Sequence, residues 1–209
     1  MTENSKSDAP RSPLMMNRKQ TALVVIDVQE KLLPLIDNHV LCCWNIGRLA
    51  QGCRLLEIPV VTTEQYPAGL GNTIASLSSL LQDAGSPFLE KTMFSVRELA
   101  SVFEQLKESG IQNLILTGVE SHVCIMQSAL DLMSQGFDVF LPVDAISSRY
   151  QVDHETALCR LETSGATLVT TEMVLFELCV GSDSPEFKGI SQLVKEEPPE
   201  ENRAADQEA

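Results

Sequence analysis

The feature that most constrains this chain is an alternation repeated along its length, in which short β-rich apolar runs are each followed by a segment with helical spacing. Only stacked βα units around a parallel sheet satisfy that pattern. The run from Thr21 to Asp27 (TALVVID) is apolar until its last residue, as a central strand buried on both faces requires. A helix is expected over about Asp37 to Glu57, where Val40, Leu41, Trp44, Leu49, Cys53 and Leu56 recur near a 3.6-residue period. Ile58 to Thr63 reads as a second strand, and the proline and glycines of Glu64 to Asn72 (EQYPAGLGN) as a loop with a short helix after it. A third strand is expected at Pro87 to Lys91, followed by a helix that Ser95 and Glu98 open as a capping box and Gly110 ends. Asn113 to Thr117 is the fourth strand, and Gly118 to Val123 turns into a helix reaching Gln135. Phe137 to Leu141, a helix over Asp153 to Ser164, Ala166 to Thr170 and a helix to Val180 continue the series. Ser184 as cap and Pro185 in the first turn open a last helix to Lys195. Right-handed crossovers place helices on both faces, so the expected fold is α/β, a three-layer α/β/α sandwich on a six-stranded parallel sheet.

The 209 residues suffice for one domain, assigned to residues 19 to 195. Residues 1 to 18 and 196 to 209 read as polar, disordered tails, the second holding six acids against one arginine. The chain carries 29 acidic and 15 basic side chains, a net charge of −14. So acidic a surface repels phosphate backbones and anionic lipid, which argues against nucleic acid or membrane as partners. Six cysteines without a CxxC pair, and a first segment without an apolar stretch, point to a reduced, cytoplasmic protein.

Ligands of doubly wound sheets bind beyond the carboxyl ends of the strands, so polar residues ending strands are the candidates. Asp27 ends the first strand, where it serves either as a cap or as a functional carboxylate. Lys91 ends the third, and taken alone reads as an ordinary solvated lysine. Cys124 falls in the first turn after the fourth strand, where a helix dipole and free N–H groups stabilise a thiolate. The competing reading is a buried, inert cysteine. If all three meet, the carboxylate accepts the thiol proton, and the ammonium lowers the thiol pKa while offsetting the carboxylate's charge.

The segments VVIDVQ around Asp27, the EK pair ending in Lys91 and GVESHVC ending in Cys124 resemble the isochorismatase-like cysteine hydrolases. EQYPAGLG, VDAISSR and PEFKGISQLVK are most similar to the isochorismatase domain-containing branch. The resemblance implies a catalytic triad of Asp27, Lys91 and Cys124 and a cis peptide between Val119 and Glu120. The N–H of Glu120 then joins that of Cys124 at an oxyanion, leaving the Glu120 side chain without a chemical role. It also implies a homo-oligomer. Nicotinamidase members of the family hold a metal through an Asp-x-His motif after the second strand, yet Thr62 to Gly71 contains no histidine. His39, His122 and His154 are scattered, so no metal and no cofactor are expected. His122 reads either as a pocket donor or as an outward-facing turn residue. Isochorismate is a vinyl ether whose hydrolysis needs no thiol, so the family name does not fix the substrate.

No GxGxxG, GxxxxGK[ST] or GxSxG motif is present, which argues against dinucleotide, nucleoside triphosphate and serine-hydrolase chemistry. The expected function is cysteine-nucleophile hydrolysis of a C–N, amide-like bond of a small-molecule substrate through a thioester. Gln29 is expected beside the triad, and Gln65, Tyr66 and Phe94 as substrate-binding walls. Two rivals remain: a catalytically silent binding protein that keeps the fold, and a redox-sensing thiol at Cys124.

Overall fold

The computed structural model describes residues 11–199. Its strands are β1 (Thr21–Ile26), β2 (Val60–Gln65), β3 (Phe88–Lys91), β4 (Asn113–Val119), β5 (Asp138–Pro142), β6 (Ile146–Ser147) and β7 (Thr167–Val169). The helices are α1 (His39–Leu55), α2 (Pro67–Leu70), α3 (Ala75–Asp83), α4 (Ala100–Glu108), α5 (Met126–Ser134), α6 (Gln151–Thr163), α7 (Thr171–Cys179) and α8 (Phe187–Val194). All strand pairs are parallel, in the order β3-β2-β1-β4-β5-β7.

The uniform apolarity of β1 and β4 follows from having a core on each side. Leu23, Val25 and Ile115 pack into the layer of α1, α3, α7 and α8. Ala22, Val24, Ile26, Leu114 and Leu116 face α4, α5 and α6. The three-layer α/β/α sandwich expected from sequence is the observed architecture, with one strand added. β5 pairs only with residues 113–115 of β4, and the two-residue β6 takes over the same edge, pairing Gly118 with Ile146 and Val119 with Ser147. A pairing this short leaves no periodic signature.

Four local expectations are corrected. EQYPAGLGN is not all loop: β2 runs through Gln65, and Pro67, whose fixed φ suits a first helical position, opens the one-turn α2. Ser95 caps a 3-10 turn (Val96–Leu99) by accepting from Arg97 N at 3.1 Å, but Glu98 does not close the box. Its carboxylate instead accepts from Thr92 N at 2.6 Å and Met93 N at 2.7 Å, tying down the chain just beyond Lys91. Ser184 spends its hydroxyl on the Glu186 carboxylate, so α8 starts at Phe187 without a side-chain cap and Pro185 lies before it. The amino-terminal tail boundary at residue 18 is also too late. Met16 is only 1% exposed, its N–H donates to the Glu177 carboxylate, and Arg18 pairs with Glu186 at 3.0 Å. The remainder of the two expected tails, residues 1–10 and 200–209, lies outside the described residues. Among the described residues no helix is long and apolar enough to cross a membrane.

Gly118 closes β4 against β1. Its φ is +111°, and a Cβ there would stand 2.0 Å from the Ile26 carbonyl oxygen. The obstacle is main chain and cannot move aside. Gly118→Ala is expected to cost about 2 kcal/mol or more, because backbone strain and overlap act together. Urea denaturation checks this, and a variant within about 0.5 kcal/mol of wild type, the range of a neutral surface change, contradicts it.

Candidate active site

Strand order reverses between β1 and β4, and the crevice beyond their carboxyl ends is where such a sheet holds its chemistry. Asp27 follows β1 directly. Its φ of +57° turns the chain sharply out of the strand while its N–H still donates to Thr63 O at 3.1 Å. Asp27 Oδ1 accepts from Thr63 Oγ1 at 2.8 Å, and Oδ2 accepts from Lys91 Nζ at 2.6 Å. Lys91 ends β3 and must reach past β2, which only a long side chain does. Both side chains of the pair are fully buried. The ammonium has three further acceptors: Gln65 Oε1 at 2.7 Å, Phe94 O at 3.1 Å and Met93 O at 3.3 Å. A buried ion pair needs this degree of satisfaction to repay its desolvation.

Cys124 sits in a π-type turn (Ser121–Ile125) between β4 and α5, and is 5% exposed. Its thiol lies beside the Asp27 carboxylate and the backbone N–H of Glu120. The Val119–Glu120 peptide is cis. The carboxylate of Glu120 is committed elsewhere, accepting from Arg149 N and Nε, both at 3.0 Å. Thus Asp27, Lys91 and Cys124, from the ends of three different strands, form one contiguous cluster.

The charge state of the thiol departs from expectation. Burial pushes its pKa well above the ordinary thiol value, the adjacent Asp27 charge pushes the same way, and Lys91 pulls it back only in part. The sequence leads one to expect a helix start, a lysine and a carboxylate nearby, but not that burial and the carboxylate outweigh the lysine. Burial and the neighbouring carboxylate thus favour the neutral thiol. A redox sensor needs a readily ionised sulphur, which this setting does not favour. Burial raises Cys43 and Cys53 to about 12, and Cys159 is the one exposed cysteine among the six free ones.

Gln29 does not line a pocket. It is wholly buried, its Oε1 accepts from Gln65 N at 2.7 Å, and Nε2 donates to Gln65 O at 3.0 Å and Gly71 O at 2.7 Å. Gln65 faces Lys91 rather than open space. Tyr66 and Phe94 have side chains 59% and 52% exposed at the carboxyl end of the sheet, beside residues that bond Lys91. His122 Nδ1 lies 3.0 Å from Ser148 Oγ, and His154 Nδ1 lies 2.8 Å from Ser121 Oγ, so both brace the turn that carries Cys124. His39 Nδ1 meets Ile36 O, and among the described residues no three His, Cys, Asp or Glu side chains gather as metal ligands. Thr63 and Arg149 were not singled out from sequence. Nothing in a threonine inside a strand or an arginine after a serine pair marks them.

Fold and site together define a doubly wound α/β protein with a buried acid, ammonium and thiol cluster at its switch point. The isochorismatase domain matches residues 21–173, and the chain belongs to that family, whose members are in general hydrolases. Isochorismatase domain-containing protein 2 of Danio rerio is 40% identical over 186 residues, 88% of this chain and 92% of the fish protein. A structure of MAR1 ribonuclease from Caenorhabditis elegans superposes with a TM-score of 0.81 at 36% identity, covering 89% of this chain and 95% of that one. The YcaC gene product of Escherichia coli, described as an octameric hydrolase of unknown specificity, shares the fold with a TM-score of 0.78 at 22% identity, covering 88% and 91%.

Removing one partner of the buried pair strands the other. Lys91→Met is expected to lose about 3 to 5 kcal/mol of stability, and the double variant Asp27→Asn/Lys91→Met to regain part of that loss. Chemical denaturation of both variants is the check. A single variant within about 1 kcal/mol of wild type would mean that the pair is not desolvated as described.

Proposed function

We propose that this protein is a cofactor-free cysteine hydrolase that cleaves a C–N, amide-like bond of a small molecule through a thioester on Cys124. The observation that carries the reading is the thiol standing beside a carboxylate that is itself locked onto a buried ammonium. Asp27 takes the Cys124 proton as the sulphur attacks the carbonyl carbon, so a high resting pKa is no obstacle: the base is already in place. The N–H of Glu120, which faces the sulphur, and the N–H of Cys124 hold the oxyanion. Collapse breaks the C–N bond, Asp27 returns the proton to the departing amine, and the acyl group stays on sulphur. Water, deprotonated by Asp27, then opens the thioester and leaves the acid product with Cys124 as a thiol. Lys91 remains an ammonium throughout. Its donors are already occupied, so it acts on the reaction through Asp27 and not by touching substrate.

The exposed rings of Tyr66 and Phe94 supply apolar surface at the carboxyl end of the sheet for the acyl portion. Free cysteines support a reducing, cytoplasmic setting, and the octameric fold neighbour supports a homo-oligomer. Ribonuclease chemistry, after the worm protein's name, finds no support in a chain with a net charge of −14.

A screen of small primary amides for ammonia release tests the reading. Turnover on one of them is expected, and Cys124→Ala should lower it by about a thousandfold or more, with added Asp27→Asn costing little further because groups acting on one transition state are non-additive. Undiminished turnover in Cys124→Ala, or cleavage of RNA with no amide hydrolysed, would overturn it.

A further inference from the structure

Gln65 and Gln29 form a device of their own behind the ion pair. The Gln65 amide has a fixed orientation, since Nε2 donates to Thr92 O at 2.6 Å and Oε1 therefore faces Lys91 Nζ at 2.7 Å. The backbone of Gln65 is held on both sides by one side chain: Gln29 accepts from its N–H and donates to its carbonyl. Gln65 also pairs in register with Lys91 across β2 and β3. Three residues therefore stand in line, Gln29 fixing Gln65, Gln65 holding the ammonium, and the ammonium meeting Asp27.

We propose that Gln65 is a positioning residue that shares the Lys91 ammonium with Asp27 and thereby sets how readily Cys124 gives up its proton, with Gln29 as the clamp that keeps it in place. The amide oxygen and the carboxylate compete for the same cation. Whatever share Gln65 takes is unavailable to offset the Asp27 charge beside the sulphur. A neutral amide takes a modest share, which leaves Asp27 basic enough to act on the thiol while the ammonium stays buried and satisfied. The titratable groups facing the sulphur are Asp27 from the end of β1 and Lys91 from the end of β3. From the neighbouring turn and α6, Glu120 is spent on Arg149, His122 lies near Ser148 and Asp153, and His154 is on Ser121.

The role of Gln65 depends on the reading of Cys124 as nucleophile only for its consequence in turnover, so the test is made on the thiol itself. Iodoacetamide labelling of Cys124 is followed against pH by peptide mapping in the full-length protein. Gln65→Glu adds a second carboxylate on Lys91 and should move the profile toward alkali, with labelling about tenfold slower at a fixed neutral pH, the equivalent of one pKa unit. Gln65→Met returns the whole ammonium to Asp27 and should move it the other way by a smaller amount. Shifts of opposite sign support the proposal. Profiles that coincide with wild type in both variants overturn it, even if both melt at lower temperature, since a purely structural glutamine would lower stability alone. If one variant fails to fold, the other still decides by the presence and sign of its shift. Wild-type protein that hydrolyses no amide would defeat the functional reading and leave this result standing.

Discussion

The structure of the site depends on one interaction, the fully buried pair of Asp27 and Lys91. Two charges taken from water at the end of a sheet are costly, and each is tolerated only because the other and its surrounding acceptors are in place. That requirement explains features that otherwise look unrelated. Thr63 must donate to the free oxygen of Asp27, the chain after β3 must present the carbonyls of Met93 and Phe94, and Glu98 must tie down the amides of Thr92 and Met93. The strand order brings Asp27 and Lys91 together from opposite sides of β2, with Cys124 arriving from β4 on the far side of β1.

The same pair gives the thiol its character. A thiolate stabilised by a lone cation would be permanently reactive and open to oxidation. Here the carboxylate lies against the sulphur and the ammonium lies behind the carboxylate, an arrangement that favours the neutral thiol and, on the proposed mechanism, keeps its base beside it. On the proposed mechanism, reactivity then depends on a substrate arriving to accept the sulphur.

Much of this was legible in the sequence because it depends on strands. The continuous apolar run of Thr21 to Ile26 announces burial on both faces, and a charged residue ending such a run makes Asp27 conspicuous, while Cys124 stands out by its place at a helix start and Lys91 only through the resemblance. β6 escaped because two residues have no period, and the one-turn α2 because proline and glycine mark breaks more strongly than a single helical turn marks itself. Gln29 and Gln65 were recognised as belonging near the site but given the wrong task. Whether a glutamine contacts substrate or braces a lysine depends on which acceptors surround it, and those come from Gly71 and Thr92, remote from Gln29 or on another strand's exit. The thiol's ionisation differs from expectation because burial, the largest influence on it, and the charge of Asp27 outweigh Lys91, and how those influences balance is not written in the sequence.

The most direct test of the account is the ionisation of Cys124 in wild type and in Asp27→Asn, followed by labelling against pH with the modified peptide identified. Removing the Asp27 charge takes away an influence that raises the thiol pKa and leaves Lys91, which lowers it, unopposed. The account predicts that Asp27→Asn shifts labelling of Cys124 toward acid while any amide hydrolysis is lost, so that the sulphur becomes more readily ionised and turnover falls. A thiol that titrates identically in both proteins, or moves toward alkali in the variant, would contradict the arrangement of carboxylate against sulphur and ammonium behind it.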